Sequence, residues 1–192
     1  AFRVLRSNLK FISQKPEDGS GRVFAITSSI GGEGKTFTSM NLASIFAVAK
    51  YKTILIGADL RKPKLHKDFT IDETKGLSSY LINKSTLNDI VEKTDIELLD
   101  VIGSGPIPPN PAELLDSKRM QDLIKELNKI YDYVIIDTPP IGLVTDGAII
   151  MKHADINLYV VRHGYSSRKA LSVINPLPDQ NQVKNIQIII ND

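Results

Sequence analysis

Six short segments rich in Val, Ile and Leu punctuate the chain, at 23–27, 53–56, 96–102, 133–136, 156–161 and 186–190. A strand covered on both faces has no solvent side, so its sequence reads as a continuous apolar run rather than an in–out alternation. Helical stretches lie between these runs. The pattern predicts an α/β fold: a mostly parallel central sheet with helices on both faces, a three-layer sandwich. One helix is predicted over Phe2–Ile12, another from Lys35 to Lys50 with Met40, Ala43 and Ala47 on one face. A third, long helix is predicted from Pro111 to about Tyr131, carrying Leu114, Leu115, Ile124, Leu127 and Ile130 at helical spacing.

With 192 residues, of which 42% are hydrophobic, the chain can close one well-buried core and is short for two. The domain reading is a single unit, 1–192, comprising an N-terminal helix (1–13), a linker of turn residues (14–21) and a core (22–192). Twenty-four Lys and Arg against 22 Asp and Glu leave a net charge of +2, which gives no electrostatic case for a nucleic-acid partner. The absence of cysteine excludes disulfides, thiolate nucleophiles and thiolate metal sites. No apolar run reaches the roughly 18 residues needed to cross a bilayer. The chain begins at Ala1, inside an amphipathic stretch, and reads as an excised piece of something longer.

The segment Ser28-Ser-Ile-Gly-Gly-Glu-Gly-Lys-Thr36 falls between the first predicted strand and the first long core helix. Glycines let successive N–H groups and the helix N-terminus converge on a polyphosphate, Lys35 adds a point charge, and the Thr36 hydroxyl suits Mg²⁺. The general pattern has Gly where this chain has Ser29. Candidate nucleotide contacts run through Gly31, Gly32, Glu33, Gly34, Lys35, Thr36 and Phe37. In an open parallel sheet ligands bind beyond the carboxyl ends of the strands, so an Asp just after an apolar run faces the same crevice. Asp137 and Asp59 both qualify, although either alone could equally cap a helix or close a turn. With the loop they supply what phosphoryl transfer needs: metal ligands (Thr36, Asp59, Asp137), positive charge (Lys35) and a carboxylate to orient the nucleophile (Asp59). Lys35, Asp59 and Asp137 are therefore the candidate catalytic residues.

These motifs resemble those of the bacterial tyrosine kinases of capsule and exopolysaccharide systems, and the match spans nearly the whole chain. Carrying it are the P-loop Gly32-Glu-Gly-Lys-Thr36, the acidic motif Ala58-Asp-Leu-Arg-Lys-Pro63, the strand end Ile136-Asp-Thr-Pro139, the segment Ser104–Leu115 and Val160-Val-Arg-His-Gly164. The resemblance implies a P-loop NTPase-like fold, ATP and Mg²⁺ as cofactors, and autophosphorylation on a C-terminal tyrosine cluster. It also implies a ring-like homo-oligomer packed through Arg3 and Arg6, trans-phosphorylation, and control of polysaccharide export. A membrane co-polymerase region, fused or separate, and a tyrosine phosphatase would be its partners, at the cytoplasmic face of the bacterial inner membrane. In related P-loop ATPases a position like Asn191 contacts adenine. The family's acidic motif usually reads Asp-x-Asp, where this chain has Gly57 and Asp59. The sequence stops at Asp192 with no tyrosine cluster; with that tail cut away, transfer would be in trans or onto other tyrosines such as Tyr51, Tyr80, Tyr131, Tyr133, Tyr159 or Tyr165, most of which read as structural. Two other readings stay open. One is a nucleotide-gated assembly module with vestigial chemistry, which Gly57 favours. The other is a partitioning-type switch ATPase, against which the missing lysine in Ser29-Ile30-Gly31 counts.

Overall fold

The computed structural model describes residues 1–12, 19–65, 69–142, 146–168, 172–178 and 183–192. Its elements run α1 (Phe2–Ile12), β1 (Arg22–Ser28), α2 (Lys35–Val48), β2 (Thr53–Gly57), α3 (Leu77–Leu81), α4 (Leu87–Ile90), β3 (Val91–Lys93) and β4 (Leu99–Ile102). They continue with α5 (Pro111–Leu115), α6 (Lys118–Ile130), β5 (Tyr133–Asp137), α7 (Asp146–Met151), β6 (Ile156–Arg162) and β7 (Ile186–Asn191). Most of the predicted linker, residues 14–18, lies outside the described residues, as does His66.

The strands form one seven-stranded sheet in the order β3-β4-β2-β5-β1-β6-β7. Only β3 runs antiparallel to its neighbour; every other pairing is parallel. β1 lies inside the sheet, with β5 on one side and β6 on the other. The chain therefore leaves β1 toward β2 on one side and later returns to β6 on the other. Such a reversal of winding opens a crevice at the carboxyl ends of the central strands.

Alternate residues of the buried strands feed two cores. Phe24 and Ile26 of β1, Leu55 of β2 and Ile135 of β5 pack with Leu42, Phe46 and Ala47 of α2 and with Leu9 of α1. Val23, Ala25, Ile54, Ile56, Val134 and Ile136 face the other way, onto Met120, Leu123 and Leu127 of α6 and Ile150 and Met151 of α7. Helices on both faces explain why the strand sequences are apolar throughout. α1 lies along α2, with Arg6 Nη1 donating to the Ile45 carbonyl at 3.2 Å and Phe2 meeting the Phe37 ring edge-on at 5.9 Å.

The structure corrects four readings of the elements. The single helix expected from Pro111 to Tyr131 is two, α5 and α6. Its apolar spacing runs through the break, but Ser117 accepts from the Met120 N–H at 3.2 Å and donates to the Leu114 carbonyl at 2.6 Å, starting a new helix. The strand expected over 96–102 begins at Leu99, because Leu98 takes a positive φ of 67° and turns the chain. The helix expected to reach Lys50 ends at Val48, with Lys50 itself at φ 66°. β3 went unanticipated: three residues, Val-Glu-Lys, are too few to show a period.

Replacing Ser117 with alanine removes the cap of α6 and is expected to lower stability by about 1 kcal/mol, read from the urea midpoint at unchanged slope.

Candidate functional site

β1 ends at Ser28 and α2 starts at Lys35, so residues 29–34 make the turn between them. Gly32 and Gly34 adopt φ of 89° and 91°, in the left-handed region that disfavours side chains. A Cβ on Gly34 would fall 2.2 Å from Asn191 Nδ2, and one on Gly32 would fall 3.0 Å from the Tyr165 hydroxyl. Glu33 differs from its glycine neighbours. Its carboxylate is fully buried and turned into the protein, accepting from Ser29 Oγ at 2.6 Å, from the Ile30 N–H at 2.8 Å and from Ser166 Oγ. The Glu33 side chain is thus an internal brace of the loop, and only its backbone faces a ligand.

The outer side of the loop is held by three side chains from the far end of the sheet. Tyr165 donates its hydroxyl to the Gly31 carbonyl at 3.0 Å, Arg162 Nη1 donates to the Gly32 carbonyl at 3.3 Å, and Asn191 Nδ2 donates to the Glu33 carbonyl at 3.2 Å. In a planar trans peptide the C=O and the following N–H point in opposite directions. Fixing three consecutive carbonyls on the outside therefore aims the N–H groups of Gly32, Glu33 and Gly34 to the inside. That row of donors, ending at a helix N-terminus, is an anion-binding concavity.

Inside the loop lies a cavity of about 480 Å³ lined by Gly31, Gly32, Gly34, Lys35, Thr36, Phe37, Asp59, Arg61, Lys62, Lys64, Pro139 and Pro140. Asn191 is not among its walls. It clasps the loop from outside, through the Glu33 carbonyl.

The charged centre is formed where β1, β2 and β5 end together. Asp137 closes β5 and is in register with Ile26 of β1 and Gly57 of β2. Lys35 Nζ lies 3.4 Å from Asp137 Oδ1 and 3.6 Å from Asp59 Oδ2, a cation between two carboxylates. The Thr36 hydroxyl donates to Asp137 Oδ2 at 2.8 Å, and Ser39 Oγ lies 3.2 Å from Asp137 Oδ1. Burial pushes the Asp137 carboxyl above its ordinary value, against the opposing pull of Lys35, Thr36 and Ser39. Asp59 is held by its own turn, accepting the Lys62 N–H at 3.0 Å. The donor set fits a Mg²⁺-nucleotide: a hydroxyl and a carboxylate converge on one point beside a cradle of N–H groups, and Lys35 is ready to exchange carboxylate for phosphate.

The structure brings together Lys35, Thr36, Asp59 and Asp137, as the motifs predict. Gly57 is packed rather than open: a Cβ there would lie 2.9 Å from Ser104 Oγ and 3.0 Å from Leu65 Cδ1, and Ser104 Oγ donates to the Gly57 carbonyl at 2.8 Å. Arg3 is exposed on α1, whereas Arg6 is half-buried on its own α2. Sequence reasoning missed the basic wall of the cavity, Arg61, Lys62 and Lys64. The motif Ala58–Pro63 contained two of them, but spacing alone did not say that they face the phosphate loop. Arg61 is fixed by a fork of hydrogen bonds to buried Asp146 at the start of α7, Nε to Oδ2 at 2.7 Å and Nη2 to Oδ1 at 3.2 Å. Arg162, Tyr165 and Ser166 were likewise not read as loop contacts.

A family profile described as an AAA domain matches residues 21–190. Tyrosine-protein kinase YwqD of Bacillus subtilis (strain 168) is 44% identical over 168 residues, which cover 88% of this chain and 70% of that protein. Among solved structures, the kinase domain of Escherichia coli tyrosine kinase ETK matches with a TM-score of 0.93 at 37% identity, covering 100% of this chain and 74% of that one. The septum site-determining protein MinD of Pyrococcus horikoshii OT3, complexed with Mg-ADP, matches with a TM-score of 0.74 at 22% identity, over 89% of this chain and 70% of its own. The last shares the fold, that of the P-loop NTPases.

Two outcomes are expected from the centre's packing and charge. Gly57→Asp must displace Ser104 or Leu65 and should lower stability by about 1–2 kcal/mol, with much of the loss restored by adding Ser104→Gly, both read from urea unfolding. Because the folded Asp137 carboxyl titrates above its ordinary 3.8, the native state binds the extra proton as pH rises past that value. Its contribution to stability therefore falls with rising pH. The unfolding free energy of Asp137→Asn relative to the parent should accordingly shift in the variant's favour as pH rises above about 4.

Proposed function

The chain belongs to the AAA-domain family and, within it, to the bacterial tyrosine-protein kinases, and from that premise we propose that the crevice at Lys35 transfers the γ-phosphoryl group of ATP to a tyrosine hydroxyl. The observation that carries this reading is Lys35 held between Asp59 and Asp137, with Thr36 bonded to the same Asp137, at the mouth of a row of inward N–H groups.

The backbone of Gly31–Thr36 binds the β- and γ-phosphates, and Lys35 leaves its carboxylates to sit against the oxygens on which charge grows. Thr36 and Asp137, with Asp59 close by, would hold Mg²⁺, which supplies charge neutralisation across the phosphates. A phenol with a pKa of about 10 is a poor nucleophile at neutral pH, so a carboxylate that orients its O–H and takes the proton late lowers the barrier. Asp59, 3.6 Å from Lys35 Nζ and fixed by the Lys62 N–H, is the group for that task. Arg61, Lys62 and Lys64, on the cavity wall beside Asp59, suit an acceptor segment that carries acidic residues around its tyrosine.

The resemblance to kinases of capsule and exopolysaccharide systems supports the wider proposal. The chain works in a homo-oligomer contacted through exposed Arg3 and its neighbour Arg6 on α1, next to a membrane co-polymerase region. Its substrate there is a tyrosine cluster, which a phosphatase resets, and its output is control of polysaccharide synthesis and export. Among the described residues no helix is long and apolar enough to cross a membrane.

Transfer from γ-³²P-ATP with Mg²⁺ to a tyrosine-rich acceptor peptide tests the chemistry. Lys35→Met should reduce phosphotyrosine by about 10²–10³-fold and Asp59→Asn by about 10²-fold. ATP binding without transfer in the parent chain would instead support a nucleotide-gated assembly module, and brisk hydrolysis without protein labelling a switch ATPase.

A further inference from the structure

A tyrosine that serves as acceptor must leave its own surroundings and enter the crevice of an active site. Five of the six tyrosines are poorly placed to do so. Tyr133 and Tyr159 are buried in the sheet, where desolvation pushes each phenol up to about 12. Tyr131 is buried with its hydroxyl on Asp100 at 2.7 Å, and Tyr80 is buried with the Arg119 guanidinium 4.1 Å from its ring centre. Tyr51 is wedged edge-on against Phe46 and Tyr133 and receives Lys10 Nζ at 2.6 Å.

Tyr165 differs from all of them. It is 51% exposed, on a turn after β6 in which His163 and Gly164 are also exposed, and nothing lies within 4 Å of where a Gly164 Cβ would be. It also has a structural task, since its hydroxyl holds the Gly31 carbonyl and so aims the Gly32 N–H into the cradle. Because that bond is on the outer, carbonyl side of the loop, Tyr165 stands behind its own phosphate cradle and would face away from a γ-phosphate held there.

We propose that Tyr165 is a modification site: a second copy of this chain phosphorylates its hydroxyl, and the product opens the clasp on the phosphate loop and weakens nucleotide binding. The proposal rests on the kinase reading above. In the step, the bond from the γ-phosphorus to the β,γ-bridging oxygen breaks and a bond from Tyr165 Oη to that phosphorus forms. ADP departs with the bridging electron pair, and the phenolic proton passes to the acting copy's carboxylate and then to water.

The consequence follows from hydrogen-bond chemistry. A phosphotyrosine carries about −1.5 to −2 charges and offers only acceptor oxygens at neutral pH, so it repels the Gly31 carbonyl that the phenol had held. The Arg162 guanidinium, 5.6 Å from the Tyr165 ring centre, is the cation within reach, and pairing with the new phosphate draws it from the Gly32 carbonyl. Two of the three bonds that orient the loop are lost together, leaving Asn191 on Glu33.

The test incubates the chain with ATP and Mg²⁺, maps phosphotyrosine by peptide mass spectrometry, and then titrates the nucleotide-free product with a fluorescent ADP before and after treatment with a tyrosine phosphatase. Phosphate is expected on Tyr165 in the parent chain. It should be absent from Lys35→Met incubated alone and appear on Lys35→Met when the parent chain is added, which marks transfer between copies. Nucleotide affinity of the phosphorylated form should be about tenfold weaker and return on dephosphorylation. An acceptor peptide labelled while Tyr165 stays unmodified would overturn the proposal and leave the kinase standing. So would a phosphorylated Tyr165 with unchanged affinity. If neither the peptide nor Tyr165 is labelled, the kinase reading fails and this one with it.

Discussion

Asp137 is a carboxylate withdrawn from water at the end of a central strand, and the rest of the site is organised by what offsets that burial. An uncompensated charge at such depth would cost several kcal/mol. Three groups answer it, Lys35, Thr36 and Ser39, all from the first turns of α2. The helix is thereby tied to the strand beside which it must start, and the loop ahead of it is forced into the space between. The same tie keeps Lys35 desolvated and paired, so that an entering phosphate finds a cation already in place and replaces a carboxylate rather than a shell of water. Structure and chemistry draw on one cluster: the groups that make burial of Asp137 tolerable are those that would handle the metal and the transferred phosphoryl group.

A loop of glycines does not by itself present its amides in one direction. Its freedom must be removed, and side chains facing the cavity cannot do that without filling it. The chain solves this from behind. Glu33 turns inward as a buried brace, while Tyr165, Arg162 and Asn191 take the carbonyls on the outer side. All three donors come from the carboxyl ends of β6 and β7, and His163 is itself bonded through its N–H to the Asn191 carbonyl at 2.8 Å. The phosphate loop is thus preorganised by strands on the opposite side of β1 from Asp59 and Asp137, so changes at either flank of the sheet bear on the same amides.

How far the sequence discloses this follows from distance along the chain. β1, β2, β5 and β6 were legible because burial on both faces leaves a continuous apolar run, and β7, although an exposed edge strand, falls on the equally apolar run 186–190. Asp59 and Asp137 were legible because each sits just past such a run, and Lys35 and Thr36 because the glycine-rich turn after β1 delivers them to the same edge. The break between α5 and α6 was hidden, since Leu114, Leu115 and Ile124 keep helical spacing through Ser117 and nothing but the cap marks the stop. The clasp was hidden for another reason: Tyr165 is 134 residues from Gly31, and no periodicity or spacing connects a turn tyrosine to a glycine carbonyl. The inward turn of the Glu33 side chain was hidden because a loop pattern says that a residue is present without saying which side its side chain faces.

Gly57 shows how one departure from the family's pattern is absorbed. The position pairs with Asp137 across β2 and β5, so a carboxylate there would stand beside a buried carboxylate already raised by desolvation. With glycine, Ser104 moves in, donating to the Gly57 carbonyl, and Leu65 closes the remaining space. One acidic group leaves the centre and an apolar contact takes its place. Lys35 is shared by two carboxylates, Asp59 and Asp137. In the proposed reaction the burden of orienting a phenol then falls on Asp59 alone, whose position depends on the turn that delivers the Lys62 N–H. The rigidity of that turn is what allows a single carboxylate to serve: Arg61, forked onto buried Asp146, anchors the turn to α7 from the other side of the crevice. A motif reduced by one acid is consistent with activity to the extent that the surviving one is held still, and here it is held at both ends.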